Sequence, residues 1–425
     1  MNKHTKLISF DASRGDPWHA TSPPIYQTAT FAQESAEAFG AFDYARSANP
    51  TRAALERRCA ELDNGAGAFA FASGLAAITA VTRLLRPGEE LLAHEDCYGG
   101  SYRLFSRVCA ERGMAVRYAD LIDGESSDWA GTMGDRTTIV FVESVTNPLL
   151  RVPDLGELAR LAHLRGALLC VDATAMSPWL QRPLDLGADL VVHSATKLLS
   201  GHADVTAGVV VARTPELAQR LVFLQNAEGA VLGPFDSWLV LRGMQTLGVR
   251  IDRQERSAQR VAEWLADRVG LQRVRFPGLK THPDRARLAS QADGPGLVIS
   301  FETGDVNRSA RLIEALDLFS IAVSFGSVNS TASLPCRMSH ASMPPSARAE
   351  RDLPEDLIRL SIGLEDAEDL IDDLDRAISL ACEPVRVLSS VPAQAPAAAL
   401  APRSGREVLS RDRRARRDLA ARGST

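Results

Sequence analysis

The chain is expected to fold as an α/β protein, with a large domain on a mostly parallel sheet and a smaller α+β C-terminal domain. Three observations carry that expectation. Apolar runs of four to six residues recur between about 51 and 245 without polar alternation, as in strands covered on both faces. Helix-length amphipathic segments separate these runs and supply the crossovers that parallel strands require. The 425 residues also exceed what one hydrophobic core ordinarily serves.

Taken in order, residues 1–50 hold few long apolar runs. They carry turn-prone pieces, Ser22-Pro23-Pro24 and Asn49-Pro50-Thr51, and read as an arm that packs on something else. Residues 51–245 contain the strand-like runs Ala68-Phe69-Ala70-Phe71, Glu90-Leu91-Leu92-Ala93 and Thr138-Ile139-Val140-Phe141-Val142. Three more follow, Ala167-Leu168-Leu169-Cys170-Val171, Asp189-Leu190-Val191-Val192 and Gly208-Val209-Val210-Val211. Residues 246–382 differ in order. A long helical pattern from Arg250 to Val269 precedes a strand-like run from Gly296 to Phe301. A helix at Arg308–Leu318, an irregular stretch, the run Leu357–Leu360 and a helix around Asp366–Leu380 complete the smaller domain. The tail, 383–425, is Ala/Pro-rich and then Arg-rich, with nine Arg against four acids, and is expected to be disordered. A basic tail suits an acidic partner, but a solvated extension is the default reading.

Composition narrows the function. The chain is 45% hydrophobic and 24% charged with a net charge of −5, which argues against general affinity for nucleic acid or an anionic membrane. Its six cysteines form no CxxC pair, and Met1-Asn2-Lys3-His4 begins no signal-peptide core, so reduced thiols and a cytoplasmic location are expected. No run of about 18 apolar residues suggests a membrane span. His94, Cys97 and Cys109 match no zinc spacing, so no metal is expected.

The strongest chemical signal is the run Asp189-Leu-Val-Val-His-Ser194-Ala-Thr196-Lys197, in which a buried strand ends in Ser-x-Thr-Lys. Lysine is costly to bury, and one placed there gains a function when its amine condenses with an aldehyde. Ser194 and Thr196 supply hydroxyls for a neighbouring phosphate. In isolation the motif would read as an exposed lysine after a strand. Twenty-five residues earlier, however, another strand ends in Asp172, at the carboxyl end where α/β sheets bind ligands. Pyridoxal phosphate needs such a pair, a carboxylate for its pyridine nitrogen and a lysine for its aldehyde. Asp172 alone reads equally well as a helix N-cap.

Other strand ends add to the pattern. Ser73-Gly74-Leu75 opens an Ala-rich helix and offers backbone N–H groups to a phosphate. Tyr98 follows a strand end and suits either stacking on a flat ring or a half-buried loop. Asn147-Pro148 is a polar contact or simply a turn. Arg359 interrupts an apolar run, either as a surface residue or as a bidentate clamp for a carboxylate.

At these residues the chain resembles the Cys/Met-metabolism family of pyridoxal-phosphate enzymes, over roughly residues 20–380. The resemblance rests on Tyr44-Ala-Arg46-Ser-Ala-Asn49-Pro50, Phe71-Ala-Ser73-Gly74-Leu75 and Asp96-Cys-Tyr98-Gly-Gly-Ser-Tyr-Arg103. It extends to Glu143-Ser-Val-Thr-Asn147-Pro148, Val171-Asp172-Ala-Thr, His193-Ser194-Ala-Thr196-Lys197 and Gly233-Pro234-Phe235-Asp236-Ser237. It implies the fold of the fold-type I pyridoxal-phosphate transferases. Lys197 would carry the cofactor, Asp172 would hold its ring nitrogen, and Gly74, Leu75, Ser194 and Thr196 its phosphate. Tyr44 and Arg46 would complete that phosphate site in a neighbouring subunit of a homo-oligomer, usually a dimer of dimers. Tyr98 would stack on the ring and relay protons. Asn147, Ser324 and Arg359 would bind the α-carboxylate of a small amino-acid substrate, and Arg103 a distal carboxylate.

The family's Ala-Glu-Ser-Leu-Gly-Gly reads Ala322-Val323-Ser324-Phe325-Gly326-Ser327 here, a second expected Glu is Asn329, and Asp-Asn-Thr becomes Asp172-Ala173-Thr174. These departures fall where the distal part of the substrate is recognised. The resemblance is closest to the cystathionine γ-synthases and γ-lyases, with the run Asp96–Phe105 nearest the synthases, and implies γ-replacement on an activated homoserine or related amino acid. The alternatives are a γ-elimination lyase or an O-acylhomoserine sulfhydrylase. An aminotransferase and a non-catalytic scaffold that binds the cofactor are the rivals from other classes.

Overall fold

Alternate residues of the central strands face two different cores, and this is what makes the strand runs apolar throughout. A computed structural model describes residues 2–9, 19–123, 126–270, 273–341, 343–349 and 351–382. Its larger sheet comprises β1 (Gly67–Phe71), β2 (Glu90–His94), β3 (Ala115–Ala119), β4 (Thr137–Glu143), β5 (Leu168–Asp172), β6 (Leu190–His193) and β7 (Gly208–Ala212). Phe69, Leu91, Phe141, Cys170, Leu190 and Val210 enter one core, while Ala70, Leu92, Val140, Val171, Val191 and Val209 enter the other.

The order is β1-β7-β6-β5-β4-β2-β3. Strands β6, β5, β4, β2 and β3 pair in parallel, and only β7 runs against its two neighbours. The expected α/β class with a mostly parallel sheet is therefore present. Helices cross between the strands, including Gly74–Thr82 and Leu155–Leu164, and the helix Pro50–Asp63 leads into β1. Their starts are legible in the chain. Asn49 accepts from the Thr51 amide ahead of Pro50, Ser73 from the Ala76 amide and Asp154 from the Glu157 amide.

A second sheet holds β8 (Val274–Arg275), β9 (Val298–Glu302), β10 (Ser320–Ile321), β11 (Thr331–Ser333) and β12 (Leu357–Ser361), in the order β10-β11-β12-β9-β8. It lies among the helices Leu247–Val269, Val306–Glu314 and Ala367–Cys382. Through Cys382 both sheets belong to one compact unit. The tail reading for 383–425 lies outside the described residues.

Three details differ from the sequence reading. Strand β3 was not foreseen, because Ala115–Ala119 is an edge strand, half-buried along its whole length and interrupted by Arg117. The run at Gly296 enters its strand only at Val298, since Gly296 sits at φ +83°. A π-helical stretch, Leu104–Cys109, continues the helix Gly99–Arg103. Residues 19–48 carry only an isolated bridge, Thr30 to Tyr44. No helix among the described residues is long and apolar enough to cross a membrane.

Candidate active site

The carboxyl ends of β4, β5 and β6 open into a cavity of about 420 Å³. Gly74, Leu75, Tyr98, Arg103, Asn147, Asp172, Ser194, Thr196, Lys197, Ser324 and Arg359 all line it, so the fold brings eleven candidate residues together. Tyr44 and Arg46 do not line it. They stand beside each other elsewhere, with the Arg46 guanidinium 5.5 Å from the centre of the half-exposed Tyr44 ring.

Asp172 is the last residue of β5 and is buried. Its Oδ1 accepts from the Thr174 amide at 3.0 Å and from the Thr174 hydroxyl. That hydroxyl in turn accepts from the Ser194 amide at 2.8 Å. Asp172 thus anchors a turn joining two strand ends and caps no helix. Burial raises its pKa, while the Thr174 bonds and the charges of His193 and Lys197 pull it back down.

Lys197 follows β6 by one tight turn, in which its amide donates to the Ser194 carbonyl at 3.0 Å. The turn is closed by Gly201, at φ +70°, and is held from below by buried Arg250. That guanidinium donates to the carbonyls of Leu198 at 3.0 and 3.1 Å and of Gly243 at 2.9 Å. The Lys197 Nζ donates to the Ser324 Oγ at 2.6 Å. Burial lowers the amine from 10.5 to about 8; the Arg359 charge adds to this and Asp172 opposes it.

Arg359, on β12, is 3% exposed. Its Nη1 donates to Asn147 Oδ1 and its Nη2 to the Ser324 carbonyl, both at 2.7 Å. Its Nε has no hydrogen-bond partner among the described residues. Burial lowers its pKa to about 10, which leaves it cationic near neutral pH. Of the two readings that the sequence allowed for this arginine, the surface one is excluded.

Gly74 and Leu75 stand in the first turn of a helix that opens on the cavity, where amides have no carbonyl partner within the helix. A Cβ on Gly74 would lie 2.8 Å from the Ser194 Cβ, and one on Gly208 would lie 2.2 Å from the Ser73 carbonyl. Bare backbone therefore frames this corner. Thr196 already bonds Ala207 through both its hydroxyl roles. Opposite stands Tyr98, whose amide donates to Glu143 Oε1. Its ring meets His340 edge-on at 6.4 Å. Glycine is needed at positions 99 and 100, where a Cβ would lie 2.5 Å from the Ser339 carbonyl and 2.4 Å from the Tyr98 ring.

Sequence reasoning assigned no role to several lining residues, among them Glu143, Thr174, Met338 and Ser339. Glu143 ends β4 opposite Asp172 in register, the same strand-end signal that marked Asp172. Burial first, and then the Asp172 charge, push its carboxyl well above the usual range. Behind the cavity, His193 Nε2 lies 2.9 Å from Asp63 Oδ2, both side chains buried. Burial alone would lower the His193 pKa, but Asp63 and Asp172 raise it. Among the described residues no group of His, Cys, Asp and Glu gathers as a metal site.

This donor set fits pyridoxal phosphate. An amine of lowered basicity, a buried carboxylate, a glycine-framed corner with unbonded helix amides and an aromatic ring share one cavity of suitable size.

A family model described as Cys/Met metabolism PLP-dependent enzyme matches residues 4–379. A chloroplastic cystathionine beta-lyase of Mimosa pudica is 49% identical over 375 residues, covering 88% of this chain and 81% of the relative. A cystathionine gamma-lyase of Bacillus subtilis is 42% identical over 378 residues, covering 89% and 99%. The crystal structure of cystathionine gamma synthase from Xanthomonas oryzae pv. oryzae with aminoacrylate and cysteine superposes with a TM-score of 0.85. It is 39% identical and covers 90% of this chain and 98% of that one.

Proposed function

The chain belongs to the Cys/Met-metabolism family of pyridoxal-phosphate-dependent enzymes, and on that premise we propose that it cleaves the carbon–sulfur bond of a cystathionine-like amino acid. The observation that carries this reading is a cavity lined by two arginines, Arg359 deep among Asn147 and Ser324, and Arg103. Such a cavity suits a substrate with a carboxylate at each end. Relatives named as lyases, up to 49% identical across most of the chain, favour elimination.

In this reading Arg359, with Asn147 and Ser324, holds the substrate's α-carboxylate, and Arg103 meets the distal one. Asp172 pairs with the ring nitrogen of the cofactor, while Gly74, Leu75, Ser194 and Thr196 hold its phosphate. Pyridoxal phosphate, when bound, supplies a sink for the negative charge that develops at the α-carbon. Lys197 holds the cofactor and moves the α-proton, a task suited to an amine that titrates at about 8. Tyr98 stacks on the ring and delivers a proton to the leaving sulfur. Tyr44 and Arg46 reach the phosphate of a neighbouring subunit in a cytoplasmic homo-oligomer, a dimer of dimers.

The γ-replacement expected from the sequence is the second reading. It has narrower support, from Arg103 in its Tyr98-Gly99-Gly100 setting and from the likeness to a γ-synthase. Mass spectrometry of the products decides between them. Cystathionine should be consumed without an added thiol, giving homocysteine, pyruvate and ammonia, or cysteine, 2-oxobutanoate and ammonia. Intact cystathionine, together with its formation from O-succinylhomoserine and cysteine, would overturn elimination in favour of replacement.

A further inference from the structure

Asp63 and His193 lie outside the cavity and take no part in the chemistry described so far, yet they form one of the most deeply buried ion pairs among the described residues. The side chains are 0% and 1% exposed, with Nε2 and Oδ2 2.9 Å apart. Neither Asp63 Oδ1 nor His193 Nδ1 has a hydrogen-bond partner among the described residues. A buried carboxylate is costly unless a counter-charge accompanies it.

Their position explains the arrangement. His193 is the last residue of β6 and follows Val192, the register partner of Asp172 on β5. Asp63 closes the helix Pro50–Asp63 behind that strand end. The imidazole bonds one buried carboxylate, Asp63, and lies one residue past the register partner of another, Asp172; the charge of each raises its pKa. Glu143, opposite Asp172 in register, has its carboxyl pushed up by burial and by the Asp172 charge. Lys197 also bears on Asp172, but it is the residue that would carry the cofactor.

We propose that Asp63, His193 and Asp172 form a row of buried charges, negative, positive and negative, in which the His193 imidazolium keeps Asp172 ionised for the ring nitrogen of the cofactor. With a protonated ring nitrogen the row sums to zero. Asp63 and His193 are positioning residues that act through Asp172. The proposal rests on the assignment of Asp172 to that nitrogen.

The test compares two compounds on the full-length apo-protein: pyridoxal phosphate, and its analogue with carbon in place of the ring nitrogen. Dissociation constants come from titrations followed by protein fluorescence, so no turnover is needed. His193→Gln and Asp63→Asn should weaken pyridoxal phosphate by at least about tenfold, one pKa unit of lost charge stabilisation, and should not weaken the analogue. Parallel loss for both compounds would mean a packing role and overturn the proposal, as would no loss for either. Asp63→Asn is isosteric and carries the comparison if His193→Gln does not fold. Asp172→Asn is the control. If it separates the two compounds and the other variants do not, the row fails while the Asp172 assignment stands. If it does not separate them, that assignment itself fails.

Discussion

The Nζ of Lys197 lies 2.6 Å from the Oγ of Ser324, a residue held at φ +89°. This left-handed backbone is unusual for a side chain other than glycine and costs about 1–3 kcal/mol. It lets one residue serve two partners, the hydroxyl for Lys197 and the carbonyl for Arg359. Ser324→Ala removes only the first contact. Turnover is expected to fall about tenfold, the worth of one hydrogen bond to a charged group, whereas Lys197→Ala should abolish it. Steady-state rates of the two variants check this.

Attachment of the cofactor to Lys197 should depend on pH. The nitrogen attacks an aldehyde only when it is unprotonated, and it titrates at about 8 instead of 10.5. Below that value the attachment rate should fall about tenfold per pH unit, and above it the rate should level off. Arg359→Gln removes a cation that helps to hold the amine down, so the midpoint should move up. Stopped-flow absorbance on the apo-protein measures both.

Arg359→Lys keeps the charge but loses the fork that reaches Asn147 and Ser324 together. One of these buried acceptors loses its donor. At about 2 kcal/mol or more for a broken buried charge contact, kcat/KM should drop about 30-fold or more. Most of that loss should appear in KM, since the carboxylate is bound before and during reaction.

Gly74→Ala would place a Cβ 2.8 Å from the Ser194 Cβ and 3.2 Å from its Cα, so backbone must move. Overpacking of this kind costs about 1–3 kcal/mol. Cofactor affinity should weaken about 5- to 150-fold, with little change in far-ultraviolet circular dichroism. Absorbance titration with pyridoxal phosphate reads the affinity.

The central strands are legible because each is apolar on both faces, Asp172 because it ends such a strand, and Lys197 because it follows another by one tight turn. Strand β3 escaped because half-burial permits Arg117 and Tyr118 in it. The short β8, β10 and β11 have only two or three residues each, too few for a period. Glu143 carries the same strand-end signal as Asp172, but the register that sets the two side by side is a property of the sheet. The pairing of Asp63 with His193, 130 positions apart, has no local trace either. Tyr44 and Arg46 were read through a family resemblance, and one chain by itself gives them no cavity to enter.

The Arg359–Asn147 bond ties β12 of the smaller sheet to the loop after β4 of the larger one, across 212 positions of sequence. A substrate carboxylate arriving at that guanidinium therefore meets a joint between two halves of the molecule. Grip on the α-carboxylate and the seating of β12 against the loop after β4 become one thermodynamic quantity. Substitutions far from the cavity, at the contacts that support β12, would be felt first as a change in how tightly amino acids are held.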